Sequence, residues 1–325
     1  MIVSKALAAA RFAMWRLGGR RVPLALYWKI THRCNLTCAY CGIPEAPGDE
    51  LATGPLLDLI SQAHRAGVYR VNLSGGEPLL RDDFGRVVEH LVRRRISVGV
   101  DTNGLLVERH LDALRRVDQV LISLDGGPAV MDEHRGPGVF DAVVRGAHRL
   151  RRAGVGLRLA CVITKVNFDR LDEVLAVARE LDVQVTFQPA TPLTRDGRRA
   201  NPLTPSTAEL RHAVEQLLAA SDRRRRVVSS LRYFEHLRSF PRLPAMACPG
   251  GRIVAAVTPD GRVGSCDFGQ IPDCFRDARA VGFARAFAEL PLRGPCRHCA
   301  CESAVVQAPA PARLTLQAAP NPFNP

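Results

Sequence analysis

The stretch Cys34-Asn-Leu-Thr-Cys38-Ala-Tyr-Cys41 sets three thiols within eight residues, in the spacing C-x3-C-x2-C. Thiolates select zinc, copper(I) or iron-sulfur clusters, and a 4Fe-4S cluster takes four cysteines when every iron has a protein ligand. With three, one iron is left to bind a small molecule through an amino and a carboxylate group. A zinc loop is the other reading of the same thiols. Seven further cysteines follow: Cys161 alone, Cys248 and Cys266, Cys274, and then Cys296, Cys299 and Cys301. Grouped in this way in a chain of 325 residues, they read as metal ligands rather than a secreted disulfide framework, and they imply a reducing compartment.

These ligands need a scaffold, and the chain supplies a repeating one from Leu24 onward. Strand-like runs at Leu26 to Ile30, Arg70 to Leu73, Val98 to Asp101, Gln119 to Leu124, Leu157 to Ile163 and Gln184 to Phe187 alternate with helical segments. Four helical segments carry the i, i+3, i+4, i+7 apolar stripe, beginning at Leu56, Phe84, Phe140 and Leu171. Thr53 with Pro55 reads as a helix start, and Gly67 and Gly154 as helix stops. Repeated βα units mean a parallel sheet with helices outside, because parallel strands need crossover connections. Six such units fall short of the eight that close a barrel, so the expected fold is a partial (β/α)6 TIM-like barrel. Ligands of such sheets sit at the carboxyl ends of the strands. The candidate motifs follow strands accordingly: Cys34 to Cys41 after the first, Ser74-Gly75-Gly76-Glu77-Pro78 after the second, Thr102-Asn103-Gly104 after the third and Ser123-Leu124-Asp125-Gly126 after the fourth.

Together these motifs resemble the radical SAM superfamily, including the aromatic Tyr40 just before the third cysteine. The resemblance implies that Cys34, Cys38 and Cys41 hold a 4Fe-4S cluster whose open iron chelates the methionine end of S-adenosylmethionine. An electron from that cluster then cleaves the cofactor to a 5'-deoxyadenosyl radical, which abstracts hydrogen from a substrate. It implies that Gly75, Gly76 and Glu77 belong to the motif that accepts hydrogen bonds from the cofactor's methionine ammonium. Tyr40, Thr102, Asn103 and Ser123 match positions of the cofactor site, with Asp125 beside them. Arg135 resembles the arginine that pairs with the cofactor carboxylate in some members, a bidentate task suited to a guanidinium. His32 and Arg33 flank the cluster loop, where they shape the strand end or adjust the cluster's potential. No general acid or base is named by sequence; Asp125, Glu133 and Lys165 are the groups within reach.

After Phe187 the pattern changes to turn-rich sequence and a helical run, Ala208 to Ala219, which reads as a connector. A hairpin is expected from Ile253 to Ser265 around Pro259-Asp260-Gly261, followed by a short helix bearing Phe283, Phe287 and Leu290. Hairpin, helix and cysteine pairs resemble the twitch form of the SPASM domain. That implies one auxiliary 4Fe-4S cluster on Cys248, Cys266, Cys296 and Cys299, with Cys274 and Cys301 competing as ligands; four-cysteine zinc ribbons share the pattern. The full SPASM spacing is absent, so a second auxiliary cluster is not expected. The expected organisation is an N-terminal amphipathic segment over 1–22, the radical SAM partial barrel over 23–192, a helical connector over 193–245, a small cysteine-rich α+β SPASM/twitch-like domain over 246–303 and a disordered, Ala/Pro-rich tail over 304–325.

A hydrophobic content of 46% is ample for a core, and Lys+Arg 45 against Asp+Glu 32 gives +13. The charge favours partners bearing carboxylates or phosphates. The arginine runs lack the interleaved aromatic residues of single-strand stacking platforms, so no nucleic acid is expected; a non-catalytic Cys-metal protein binding nucleic acid is the alternative from another class. Arg11 and Arg16 interrupt the apolar N-terminus before it could serve as a signal core or a membrane span, which points to the cytoplasm. Its helical apolar stripe leaves peripheral membrane contact open. The expected partners are a small-molecule or peptide substrate and a reductant such as flavodoxin or ferredoxin. Only 33 residues precede Cys34, so a peptide substrate would call for a separate leader-binding protein.

Overall fold

The computed structural model describes residues 10, 12–13, 21–45, 48–194, 199–220, 223–239, 248–266 and 274–292. Six strands follow in chain order: β1 (Ala25–Thr31), β2 (Arg70–Gly75), β3 (Ser97–Thr102), β4 (Gln119–Ser123), β5 (Leu157–Ile163) and β6 (Gln184–Pro189). Each pairs in parallel with the next, as the (β/α)6 expectation requires.

Side chains alternate across each strand. Leu26, Trp28 and Ile30 of β1, Val71 and Leu73 of β2, and Val98 and Val100 of β3 are buried in one core with the apolar stripes of the outer helices. Those stripes are Leu56, Leu59, Ile60 and Ala63 on the helix Thr53–Ala66, Phe84, Val87, Val88 and Leu91 on Phe84–Arg93, and Val174, Leu175 and Ala178 on Leu171–Leu181. Truncating one such buried leucine to alanine costs about 2–5 kcal/mol, so this face fixes which strand positions point outward and which point into the lumen. Gly67 ends the first of these helices in the left-handed region (φ 105°), with its N–H reaching back to the Ala63 and His64 carbonyls.

The β4–β5 connection holds a helix that carries no clear apolar stripe, Pro128–Arg135, ahead of the expected Val139–Arg152. It matters because its last two residues reach the candidate site.

The hairpin forms as expected from β7 (Val254–Val257) and β8 (Arg262–Gly264), and β9 (Phe275–Asp277) extends it. It continues the barrel's own sheet. β7 pairs in parallel with β1, Val254 beside Ala25 and Val257 beside Trp28, so the nine strands run β6-β5-β4-β3-β2-β1-β7-β8-β9. Arg21 fastens this part to the chain's start: its guanidinium donates to the Gly251, Phe287, Ala288 and Leu290 carbonyls, capping the helix Phe283–Ala288. Among the described residues no helix is long and apolar enough to cross a membrane.

Candidate active site

The loop bearing Cys34, Cys38 and Cys41 leaves β1 at its carboxyl end and is anchored at its base by Glu50. One Glu50 oxygen accepts from the Thr31 hydroxyl (2.7 Å) and the His32 N–H (2.6 Å), and the other faces Arg33 (3.6 Å) and Arg81 (3.9 Å). Burial opposes ionisation of Glu50, and these donors outweigh it, holding the carboxyl below its usual range. Arg81 is itself buried. It donates to the Ile30 and Leu51 carbonyls and forms a two-pronged pair with Asp83, so the strand end and the loop after the cysteines are tied to β2's exit.

Gly75 and Gly76 continue that tie through backbone alone. Gly76 N–H donates to the Thr31 carbonyl (2.9 Å) and Glu77 N–H to the Arg33 carbonyl (2.8 Å). A Cβ at Gly75 would stand 2.3 Å from the Thr31 carbonyl oxygen, with φ at +133°, and one at Gly76 would stand 2.2 Å from the Arg33 carbonyl oxygen. The glycines therefore have a reason besides ligand approach: the first residues of the cysteine loop lie directly on them. Gly76→Ala is expected to push that loop away and cost about 1–3 kcal/mol, read as a lower thermal midpoint together with reduced iron uptake.

Glu77 binds the next strand's exit. Fully buried, its carboxylate accepts from the Leu79 N–H (3.0 Å), the Thr102 hydroxyl (2.9 Å) and the Asn103 N–H (2.7 Å). Burial pushes the carboxyl up to about 7 although all three donors favour the charged form. A folded-state value above the unfolded one means that the native chain holds the extra proton. The contribution of Glu77 to stability is then complete below about pH 4.5 and declines as the pH rises to about 7. Glu77→Gln is expected to remove this slope, measured as the difference in denaturant midpoint between pH 5 and pH 7.5. Asn103, positioned by Glu77, donates from Nδ2 to Asn35 Oδ1 (2.7 Å) and stands 4.0 Å from Cys34 Sγ.

On the other side of the loop a second buried group faces Cys38. Asp125 accepts from the Tyr40 hydroxyl (2.8 Å), Arg135 Nε (2.8 Å) and the Val162 N–H (2.9 Å), and His134 Nδ1 lies 3.5 Å away. Arg135 also donates to the Tyr40 hydroxyl, and its Nη1 lies 3.9 Å from Cys38 Sγ. Burial disfavours the Asp125 charge, but Arg135 and His134 outweigh it and hold the carboxyl well below the usual range. The His134 carbonyl accepts from the Ala39 N–H, so the end of Pro128–Arg135 is a latch on the cysteine loop. Asn167 holds Asp125 from behind through the Asp125 carbonyl (2.7 Å), and the buried Cys161, its thiol pushed well up by desolvation, packs beside it as an inert core residue.

Every nitrogen of the Arg135 fork is thus engaged within the chain. Ser123 closes β4 half-buried, in register with Ala160 of β5.

The donor set fits an iron-sulfur cube held at three corners. Three thiols share one loop, and an N–H donor approaches two of them, from Asn103 and from Arg135. Burial pushes the Cys38 thiol up to about 11 against the pull of Arg135, and raises Cys34 too. Thiols so placed are deprotonated by the metal they bind. Among the described residues no three His, Cys, Asp or Glu side chains converge on a point where a single ion would sit.

The second cysteine region gathers at the opposite end of the sheet. Gly250 N–H donates to Cys248 Sγ (3.3 Å), a Cβ at Gly250 would meet the Ser265 carbonyl oxygen at 2.0 Å, and Ser265 N–H donates to the Cys274 carbonyl. Cys248, Cys266 and Cys274 are therefore brought together beside the amino end of β7; Cys296, Cys299 and Cys301 lie outside the described residues, as does the tail over 304–325.

Comparison with known proteins follows the same outline. The family model described as the Radical SAM superfamily matches residues 28–178. The chain is 34% identical over 262 residues to the mycofactocin maturase MftC of Mycolicibacterium smegmatis, covering 77% of this chain and 66% of that protein's length. It is 31% identical over 302 residues to the PqqA peptide cyclase of Gluconobacter oxydans, covering 85% of this chain and 82% of the cyclase. Among solved structures, Streptococcus suis SuiB bound to S-adenosylmethionine superposes with a TM-score of 0.71 at 18% identity, over 86% of this chain and 69% of SuiB, a likeness of fold.

Proposed function

The chain belongs to the radical SAM superfamily, and on that premise we propose that it is a peptide-modifying radical enzyme with one auxiliary 4Fe-4S cluster. The observation that carries the reading is the cysteine loop at the end of β1, seated on the Gly75–Glu77 turn and contacted by Asn103 and Arg135. A 4Fe-4S cluster on Cys34, Cys38 and Cys41 with S-adenosylmethionine at its open iron supplies, when bound, the one-electron cleavage to a 5'-deoxyadenosyl radical.

The chain's own residues orient and protect that chemistry. Glu77 holds the Thr102–Asn103 exit in one conformation, so that β2's and β3's loops meet the cofactor as one preorganised surface. Asp125 and Arg135 fix Tyr40 and set a positive charge beside Cys38, which stabilises the thiolate. The lumen below, walled by β1–β6, is where a substrate can approach with water excluded.

The peptide part of the reading draws support from the relatives, one of them by name a cyclase of the PqqA peptide. Cys248, Cys266 and Cys274 would contribute ligands to the auxiliary cluster. They lie at the Ala25 end of β1 and the cluster loop beyond Thr31, so about 20 Å of strand separates the two groups and the lumen lies between them.

The test is anaerobic reconstitution of the full chain with iron and sulfide, then S-adenosylmethionine and dithionite. Release of 5'-deoxyadenosine, increased by a synthetic precursor peptide and accompanied by a mass change in that peptide, is the expected result. A reconstituted chain that releases none overturns the enzyme reading, and release without any change to the peptide overturns the substrate.

A further inference from the structure

One buried polar group of the second cysteine region has no use within the fold. Ser265 is 4% exposed, and its side-chain oxygen has no hydrogen-bond partner among the described residues. A hydroxyl taken out of water without a replacement bond destabilises the folded chain, so an orphan of this kind calls for a partner that is not protein.

Ser265 touches all three cysteine segments of this region. Cys266 follows it directly. In the antiparallel pairing of β8 with β9, Val263 lies beside Arg276 and Gly264 beside Phe275. One residue further on, Ser265 faces Cys274, and its N–H donates to the Cys274 carbonyl at 3.2 Å. Residues directly opposite in an antiparallel pair point to the same face with Cβ atoms about 4.5–5.5 Å apart. The Ser265 hydroxyl and the fully buried Cys274 thiol therefore share one side of the ribbon. The third segment lies against the serine itself. A Cβ at Gly250 would stand 2.0 Å from the Ser265 carbonyl oxygen and 3.2 Å from Cys248 Sγ, and one at Gly251, whose φ is +71°, would stand 3.2 Å from the Ser265 Cβ. The turn that carries Cys248 thus rests on Ser265 with no room for a side chain between them.

This setting decides what the hydroxyl can do. It has one proton to donate, and the groups around it are sulfurs. Hydrogen bonds to the sulfurs of an iron-sulfur cluster are one of the protein's means of setting its potential, because they favour the more negative, reduced state. We propose that the Ser265 hydroxyl donates a hydrogen bond to a sulfur of the auxiliary cluster and raises that cluster's reduction potential. The proposal rests on the auxiliary-cluster reading, with Cys248, Cys266 and Cys274 among the ligands.

The test uses the full chain carrying Cys34→Ala, so that the auxiliary cluster is the one measured. After anaerobic reconstitution, the midpoint of its one-electron reduction is read by electron paramagnetic resonance during titration with dithionite. Ser265→Ala should hold the same irons and, at a fixed potential, show a reduced-to-oxidised ratio about tenfold smaller, the size of one hydrogen bond's net contribution. For a one-electron couple that is a midpoint about 59 mV lower. Ser265→Thr, which keeps the hydroxyl, should match the parent. In the metal-free chain Ser265→Ala should be no less stable than its parent, because nothing there bonds the hydroxyl. Loss of the irons from the alanine variant alone also supports the contact. Equal midpoints for Ser265→Ala and the parent overturn it, the result expected if the hydroxyl meets a buried water instead. A metal-free alanine variant less stable than its parent, or loss of the irons from both variants, makes Ser265 a packing residue and overturns it too. A parent chain that takes up no iron in this region fails the auxiliary-cluster reading and the bond together, whereas equal midpoints on a loaded cluster fail the bond alone.

Discussion

Replacing any one of Cys34, Cys38 or Cys41 by alanine is expected to lower 5'-deoxyadenosine release to background, a loss of at least about a thousandfold, equivalent to about 4 kcal/mol. The expectation follows from ligand count. Three thiolates already leave one iron without a protein ligand, and removing another leaves two irons that must be held by groups the loop does not offer. Among the described residues, the side chains that donate toward these sulfurs are Asn103 and Arg135, both N–H donors that cannot act as metal ligands as placed. The same variants should lose about four of roughly eight irons per chain and keep the other four. A single-cysteine variant that retained full release would sink the assignment. By contrast Cys161→Ala, deep in the core beside Asn167, should leave iron content unchanged.

Much of this arrangement was legible before any coordinates, and the limit has a physical origin. Strand positions follow from buried alternation such as Leu26, Trp28 and Ile30, a local signal, and helix ends from Gly67 and Gly154, whose positive φ values demand glycine. The Gly75-Gly76 pair was visible as a tight turn, but the atoms that forbid a Cβ there belong to Thr31 and Arg33, more than forty residues earlier. Glu50 and Arg81 carry no sequence signal because an acid and an arginine in loops have no periodicity; only folding places them at the base of the cysteine loop. The helix Pro128–Arg135 lacks a clear apolar stripe, and its one local signal was Pro128 at the first helical turn. Pairing of β7 with β1 joins segments more than two hundred residues apart, and no strand pattern names its neighbour.

Arg135→Met is expected to destabilise the fold by about 3–5 kcal/mol, the second of the two largest effects. Asp125 is fully buried and its charge is countered at contact distance by one guanidinium, while His134 stands farther off at 3.5 Å. Methionine would preserve much of the volume and remove the charge, leaving an ionised carboxylate in the interior or forcing it to take up a proton. Tyr40 would lose its second partner at the same time, and the Ala39–Tyr40 side of the cysteine loop would be held by the Tyr40–Asp125 and Ala39–His134 bonds. Because the folded-state value of Asp125 lies below its unfolded value, its stabilisation is complete above about pH 4 and is lost as the pH falls through the folded-state value. The variant should therefore differ most from the parent at neutral pH and approach it in acid. Asp125→Asn in the Arg135→Met background separates charge from packing: if an unpaired carboxylate is the main cost, the double variant should recover part of the loss in denaturant midpoint. If it recovers none, Arg135 acts chiefly through its contacts with Tyr40 and Cys38, and the larger change should then appear in the cluster's reduction potential.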